Sequence, residues 1–211
     1  MITTDYLLLI VAYLFGSIPT SVWVGKWACG IDIREHGSGN AGATNTVRVL
    51  GYKWGIPVLL FDILKGFLAV SLIHLSSITP DTELYHGFSI ILGIMAVVGH
   101  IWPLFANFKG GKGVATILGV VMAMQLLPTL IAFGVFIVIL LLTRYVSVGS
   151  IIAGISYPIS VYFLELGTTW PLVAFSIAVP LLLIFTHRAN IKRLWNGNEN
   201  KADFLFKKKK E

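Results

Sequence analysis

The chain has 211 residues, of which 56% are hydrophobic and 12% charged, with a net charge of +6 and a mean hydropathy of +0.82. A soluble domain carries about a quarter charged residues, so these figures exclude a soluble globular protein and indicate an all-α integral membrane protein. The single cysteine, Cys29, excludes an internal disulfide or a cysteine-based zinc cage, and the length fits one domain, residues 1–211, with a basic tail at about 200–211.

A hydrocarbon core of ~30 Å takes about 20 helical residues to cross. The first apolar run, 5 to 25, has no basic residue ahead of it, which predicts a retained helix rather than a cleaved signal. The stretch REHGSGNAGATNTVR follows at 34 to 48. Gly37, Ser38, Gly39 and Gly42 are small enough for backbone N–H groups to crowd round an anion, and Arg48 adds a fixed positive charge. GSGNAG also satisfies G-x-G-x-x-G, but it follows an apolar span instead of a strand, which excludes a dinucleotide site. The second run, 54 to 77, holds Asp62 and Lys65 one helical turn apart. A charge at the bilayer centre costs about 2.5 to 3.5 kcal/mol. The two are therefore expected to face the bundle interior, either as a structural pair or as part of a site.

The third run, 86 to 105, carries His100 near its end and leads into FKGGKGVAT at 108 to 116. If a helix begins at Val114, the glycines strip bulk from an N-terminus whose first four N–H groups lack partners, and Lys109 and Lys112 add full charges. Ala106 and Gly113 stand where a nucleotide P-loop needs Gly and Ser or Thr, so phosphate rather than nucleotide is the natural guest. The competing reading is a loop whose lysines only set topology. Residues 113 to 143 are either one overlong helix or two short ones of about 13 to 16 residues turning at Gln125 to Thr129, where Pro128 interrupts a regular helix; length leaves both open, and the charge distribution favours two. RYVSVGS, 144 to 150, opens the run 147 to 165. The last run, 169 to 186, ends in THRANIKRLWNGNE, where His187 and Asn190 share a face if the helix continues.

Seven spans with the N-terminus outside and the C-terminus cytoplasmic place fifteen of the sixteen Lys and Arg on one side, Lys65 being inside a span. The other side receives Asp5, Asp81, Glu83 and Glu165. Six spans would turn Arg144 and the tail outward, against the positive-inside bias. Every unusual polar stretch then lies on the cytoplasmic side. Two glycine-and-base loops with a His and an Asn beside them suggest two anionic substrates, and the surrounding helices suit a lipid phosphate or acyl donor. G-x-S-x-G, H-E-x-x-H and a His followed five residues later by Asp are all missing, so the chemistry needs little from a nucleophilic side chain. Carboxylates and histidines do not cluster at ligand spacing, and neither metal nor cofactor is expected.

In order along the chain, GSIPTS (16 to 21), GSGNAGATNTVR (37 to 48), DILKG (62 to 66), GHIWPLFANFKGGKGVAT (99 to 116), RYVSVGS (144 to 150) and HRANIKRLWNGNE (187 to 199) resemble the acyl-phosphate-dependent glycerol-3-phosphate acyltransferases of bacteria, the PlsY type. The resemblance implies a seven-helix enzyme of the bacterial cytoplasmic (inner) membrane whose active site faces the cytoplasm. It implies transfer of a fatty acyl group from acyl phosphate to the sn-1 hydroxyl of glycerol 3-phosphate. The products would be lysophosphatidic acid and phosphate, in the first acylation of phospholipid biosynthesis. Membrane lipids are expected partners; acyl-carrier protein, acyl-CoA and nucleic acid are not. Residues and resemblance together assign Ser38, Asn40, Thr44, Arg48, Lys109 and Lys112, with the amides of Gly110 and Gly111, to phosphate groups. Ser147, His187 and Asn190 would orient glycerol 3-phosphate, and Asp62 and Lys65 would give intramembrane support. The attacking hydroxyl's proton could pass to His187 or to a phosphate oxygen of the donor. The alternative class is a transporter or flippase of phosphorylated or lipid-like anions, but the paired halves with interrupted helices common in transporters are not visible.

Overall fold

The computed structural model describes residues 3–164 and 168–203, and among these every regular element is helical. Residues 204–211 of the basic tail, and Glu165, lie outside the described residues. The first apolar run is divided at Ile18 and Pro19 into α1 (Thr3–Ser17) and α2 (Thr20–Cys29), because proline supplies no N–H to the ladder. α2 stops at Gly30, whose left-handed φ of 69° lets its N–H reach the Lys26 carbonyl while Ile31 N–H reaches that of Gly25. The short helix α3 (Ala43–Leu50) and the long α4 (Tyr52–Ser71) follow, meeting at Gly51. Then come α5 (Glu83–Ile101), α6 (Val114–Met124), α7 (Leu126–Thr143), α8 (Val146–Leu164), α9 (Trp170–Thr186) and α10 (Arg188–Trp195).

The 113 to 143 stretch does break, and the break sits at Gln125. Pro128 falls in the first turn of α7, where a missing N–H costs nothing. The two helices are unequal, correcting the expectation of two short ones: α6 has 11 residues and α7 has 18, enough to rise about 27 Å. Among the described residues, five segments are long and apolar enough to cross a membrane: the joined α1–α2, then α4, α5, α7 and α8. α9 is bent by 59° from α10 at His187, and α6 is a shorter apolar helix.

The principal core joins Val70, Val97, Ile117, Val120, Tyr157, Val161, Val179 and Leu183, drawing α4, α5, α6, α8 and α9 together. α6 crosses α4 so closely that a Cβ on Gly66 would collide with the Thr116 carbonyl, and one on Gly119 with that of Ile63. Small residues at such crossings let helix backbones approach where lipid offers no hydrophobic drive. α7 instead presents most of its leucines and isoleucines outward; Pro128, Thr129 and Leu140 are the buried ones. The bundle therefore holds the polar loops at one end of packed helices.

Candidate active site

The first polar loop is fixed by two side chains. Asp32 accepts from Arg34 N–H (3.1 Å) and pairs with its guanidinium (2.6 Å), which holds the Asp32 carboxyl down to about 2. Arg34 also donates to the carbonyls of Ala106 (2.9 Å) and Lys109 (3.2 Å), stitching this loop to the glycine loop after α5. Asn45, buried in the first turn of α3, donates to the Ile33 and His36 carbonyls and accepts from Ser38 N–H at 2.8 Å. Gly37 and Gly39 take left-handed φ values of 63° and 72° in the turn it clamps. Ser38, Asn40 and Thr44 are half-buried there, and Thr44 lies one turn before Arg48 on α3.

The glycine turn corrects one expectation. Gly110 N–H donates to the Ile101 carbonyl and Gly111 N–H to that of His100, each at 3.1 Å. Both amides are thus occupied by the end of α5 rather than free for a phosphate. A Cβ at Gly110 would strike the His100 carbonyl, and one at Gly111 the His100 ring, so these glycines serve close backbone approach. The donors left at this turn are the ammonium of Lys112 and the first N–H groups of α6, which helix geometry leaves without intrahelical partners.

The turn also separates its two lysines. Lys109 is exposed and lines a cleft of about 390 Å³ with Asp32, Arg34, Glu35 and Gly39. Lys112 instead donates to Asn190 Oδ1. Asn190 Nδ2 donates to Glu199 Oε1 (2.6 Å), which also accepts from Ser147 Oγ (2.9 Å), while Arg193 Nε donates to Glu199 Oε2 (2.8 Å). Residues of α8 and α10 thereby converge on one carboxylate from the stretch after α10, and Lys112 at the α6 entry joins them through Asn190. Glu199 and Arg193 lie within THRANIKRLWNGNE, where nothing in the sequence alone gives them a role. That stretch is held down in turn: Ala202, fully buried, donates its N–H to the Arg144 carbonyl at 2.8 Å, and Asp203 meets the Arg144 guanidinium at 3.4 Å.

Electrostatics bind the same groups. Burial lowers the Lys112 ammonium to about 8, Arg193 and Arg48 add repulsion, and Glu199 opposes the shift. Burial raises the Glu199 carboxyl, but hydrogen bonds from Asn190, Arg193 and Ser147 outweigh it and leave it below its ordinary value. Arg48, feeling both Glu199 and Arg193, is lowered chiefly by burial. His187, at the α9–α10 bend and 2% exposed, is pushed down to about 4 by burial and by Lys112. It is therefore neutral at neutral pH. Its Nδ1 lies 2.8 Å from the Leu183 carbonyl, which assigns the ring proton to Nδ1 and leaves Nε2 a lone pair. Three cations beside one anion and a neutral acceptor suit a dianionic phosphate ester presenting a hydroxyl.

Asp62 and Lys65 pair at 2.7 Å behind the glycine turn, outside this network. Among the described residues, no three His, Cys, Asp or Glu side chains stand close enough to share a metal ion.

An all-helical membrane protein with a cation-rich polar cluster at one end of its bundle is the class that fold and site define. The sequence profile described as "Glycerol-3-phosphate acyltransferase" matches residues 6–197. The glycerol-3-phosphate acyltransferase of Chlorobaculum parvum is 44% identical, with 92% of this chain and 94% of that protein covered. That of Chlorobaculum tepidum is 42% identical over 93% and 96%. The crystal structure of PlsY (YgiH), an integral membrane glycerol 3-phosphate acyltransferase in its glycerol 3-phosphate form, superposes with a TM-score of 0.85 at 39% identity, covering 97% of this chain and all of that one. Its lysophosphatidic acid form gives 0.83. The chain belongs to the glycerol-3-phosphate acyltransferase family.

Proposed function

We propose that this protein transfers a fatty acyl group from acyl phosphate to the sn-1 hydroxyl of glycerol 3-phosphate, yielding lysophosphatidic acid and phosphate. The observation that carries the reading is the network in which Glu199 holds Ser147, Asn190 and Arg193, with Lys112 on Asn190. The forms in which the relative's structure was solved, with glycerol 3-phosphate and with lysophosphatidic acid, support both substrate and product.

Arg48, Lys112 and Arg193 supply the charge for two phosphate groups, with Ser38, Asn40 and Thr44 alongside and Lys109 guarding the neighbouring cleft. Ser147 and Asn190 orient the glycerol 3-phosphate. The hydroxyl oxygen attacks the acyl carbonyl carbon, the bond from that carbon to the bridging phosphate oxygen breaks, and inorganic phosphate leaves with the electron pair. The hydroxyl proton passes to His187 Nε2 or to a phosphate oxygen of the donor. Acyl phosphate is a mixed anhydride with a good leaving group, so holding both anions and stabilising the leaving charge accounts for most of the rate. Neither acyl-carrier protein nor acyl-CoA is needed as donor, and no covalent acyl-enzyme forms.

The chain acts as a single domain in the bacterial inner membrane, with seven membrane helices in which α6 and α9 join the five long segments. The N-terminus is outside and the site faces the cytoplasm; the one-sided distribution of Lys and Arg supports this orientation. The test is purified protein given acyl phosphate with and without glycerol 3-phosphate, reading phosphate and lysophosphatidic acid. Glycerol-3-phosphate-dependent appearance of both is expected. Uptake of the anion into vesicles with no bond broken would replace the reading with transport.

A further inference from the structure

Behind the glycine turn lies a polar cluster that the transfer chemistry does not touch. Asp62 and Lys65 of α4 pair there, each side chain 3% exposed. Lys65 Nζ also donates to the Ile18 carbonyl (3.1 Å), and Thr20 Oγ1 to Asp62 Oδ1 (3.4 Å), which ties the pair to the joint between α1 and α2. On the opposite flank His100, in the last turn of α5, brings Nδ1 to 3.7 Å from Asp62 Oδ1. That nitrogen is buried and makes no hydrogen bond within the protein. The other ring nitrogen, Nε2, rests against Gly111, so closely that a Cβ there would strike it. The carbonyl of the same histidine accepts the Gly111 N–H.

The space enclosed by Thr20, Asp62, Lys65, His100 and Gly111 measures about 10 Å³. That is room for about one water and for no substrate, so these groups act through others. Mutual neutralisation explains an acid and a base one turn apart in an apolar helix. It does not explain a histidine wedged between the acid and the turn, nor the tie to Ile18. Both follow if the cluster holds the turn in place.

We propose that Asp62, Lys65 and His100 form a brace that fixes the glycine turn and thereby sets where Lys112 stands against Asn190 and Glu199. They are positioning residues for the acyl transfer, and the inference rests on the reading given under Proposed function. Lys112 follows Gly111 directly, so any shift of the turn is passed to its Cα. A misplacement of about 1 Å in a positioned site costs on the order of 100-fold in rate.

The experiment compares His100→Ala, His100→Gln and Asp62→Asn, each as folded full-length protein, with the wild type by two readouts. One is kcat and KM for both substrates. The other needs no substrate: modification of Lys112 by an amine-reactive reagent across pH, read by mass spectrometry. In the wild type Lys112 titrates near about 8, set by burial, by Glu199, Arg193 and Arg48 facing it, and with Asn190 and neutral His187 beside it. In His100→Ala, kcat/KM should fall on the order of 100-fold, and Lys112 should titrate closer to an ordinary lysine. His100→Gln, which keeps a polar group between Asp62 and Gly111, should recover most of both. Asp62→Asn should move both readouts in the direction of His100→Ala, and it decides the matter if His100→Ala does not fold. Folded variants with kcat/KM within twofold of wild type and an unchanged Lys112 titration would overturn the brace. A wild type that transfers no acyl group at all would overturn the function instead, with the labelling comparison still judging the brace.

Discussion

Glu199 brings a single negative charge among Arg48, Lys112 and Arg193, and that choice governs both the shape and the titration of the cluster. Lys112 loses its proton as pH rises through about 8, and a neutral amine no longer attracts phosphate, so activity should fall on the alkaline side of that value. Lys112→Arg should abolish this alkaline decline, since guanidinium keeps its charge, while lowering kcat/KM because the planar fork does not reproduce the ammonium's geometry. Glu199→Gln removes the attraction that opposes the shift, so the decline should move to lower pH than in the wild type. Loss of the charged hydrogen bonds should also reduce kcat/KM by about 10-fold or more; both effects are read from one pH–rate profile. His187→Ala should cost roughly 10²- to 10⁴-fold in kcat if Nε2 takes the proton. Near-normal turnover at saturating substrate would assign that proton to the donor phosphate. Arg48, Lys112, Ser147, His187 and Asn190 were legible because polar side chains in so oily a chain demand a reason. Glu199 was not, because it reads as one more solvated charge after a basic helix and its partner Ser147 lies 52 positions away.

Glycines raise a different problem at the scale of helices and turns. In a sequence, a glycine marks an anion-binding nest and a tight backbone crossing equally well, and the opposing carbonyl decides which. The carbonyls opposite Gly110 and Gly111 belong to α5, so these residues dock a turn rather than cradle a phosphate. Gly119 has the same character at the α4–α6 crossing. Gly119→Val should force its side chain into the Ile63 carbonyl and cost about 1 to 3 kcal/mol or more, seen as a lower Tm in detergent. Gly134, by contrast, has open space where a Cβ would stand, so Gly134→Ala should leave Tm unchanged or slightly raised. Length left the break within 113 to 143 open and charge favoured it; the ladder stops at Gln125, the first residue of the turn expected there, while Pro128 sits in the first turn of α7.

For the whole molecule, the distribution of Lys and Arg bears on a question that hydropathy leaves open. Among the described residues, length and composition give five candidate crossings, and α6 is too short to count by that measure. The proposed seven-span topology gives it a place, because a single extra crossing decides the side on which Arg144 and the tail emerge. Cys29, exposed at the end of α2 and the chain's single cysteine, offers a native probe. A thiol reagent that cannot cross the membrane should reach it only in inside-out vesicles, whereas Asp81→Cys in a Cys29→Ser background should be modified in intact spheroplasts. The path of residues 196–203 across the start of α8 has a bearing on biogenesis. A nascent polypeptide whose membrane helices have entered the bilayer still lacks, until Glu199 is made, the acid on which Ser147, Asn190 and Arg193 converge. The cluster closes only once residues 196–203 have been made and have folded back across the start of α8.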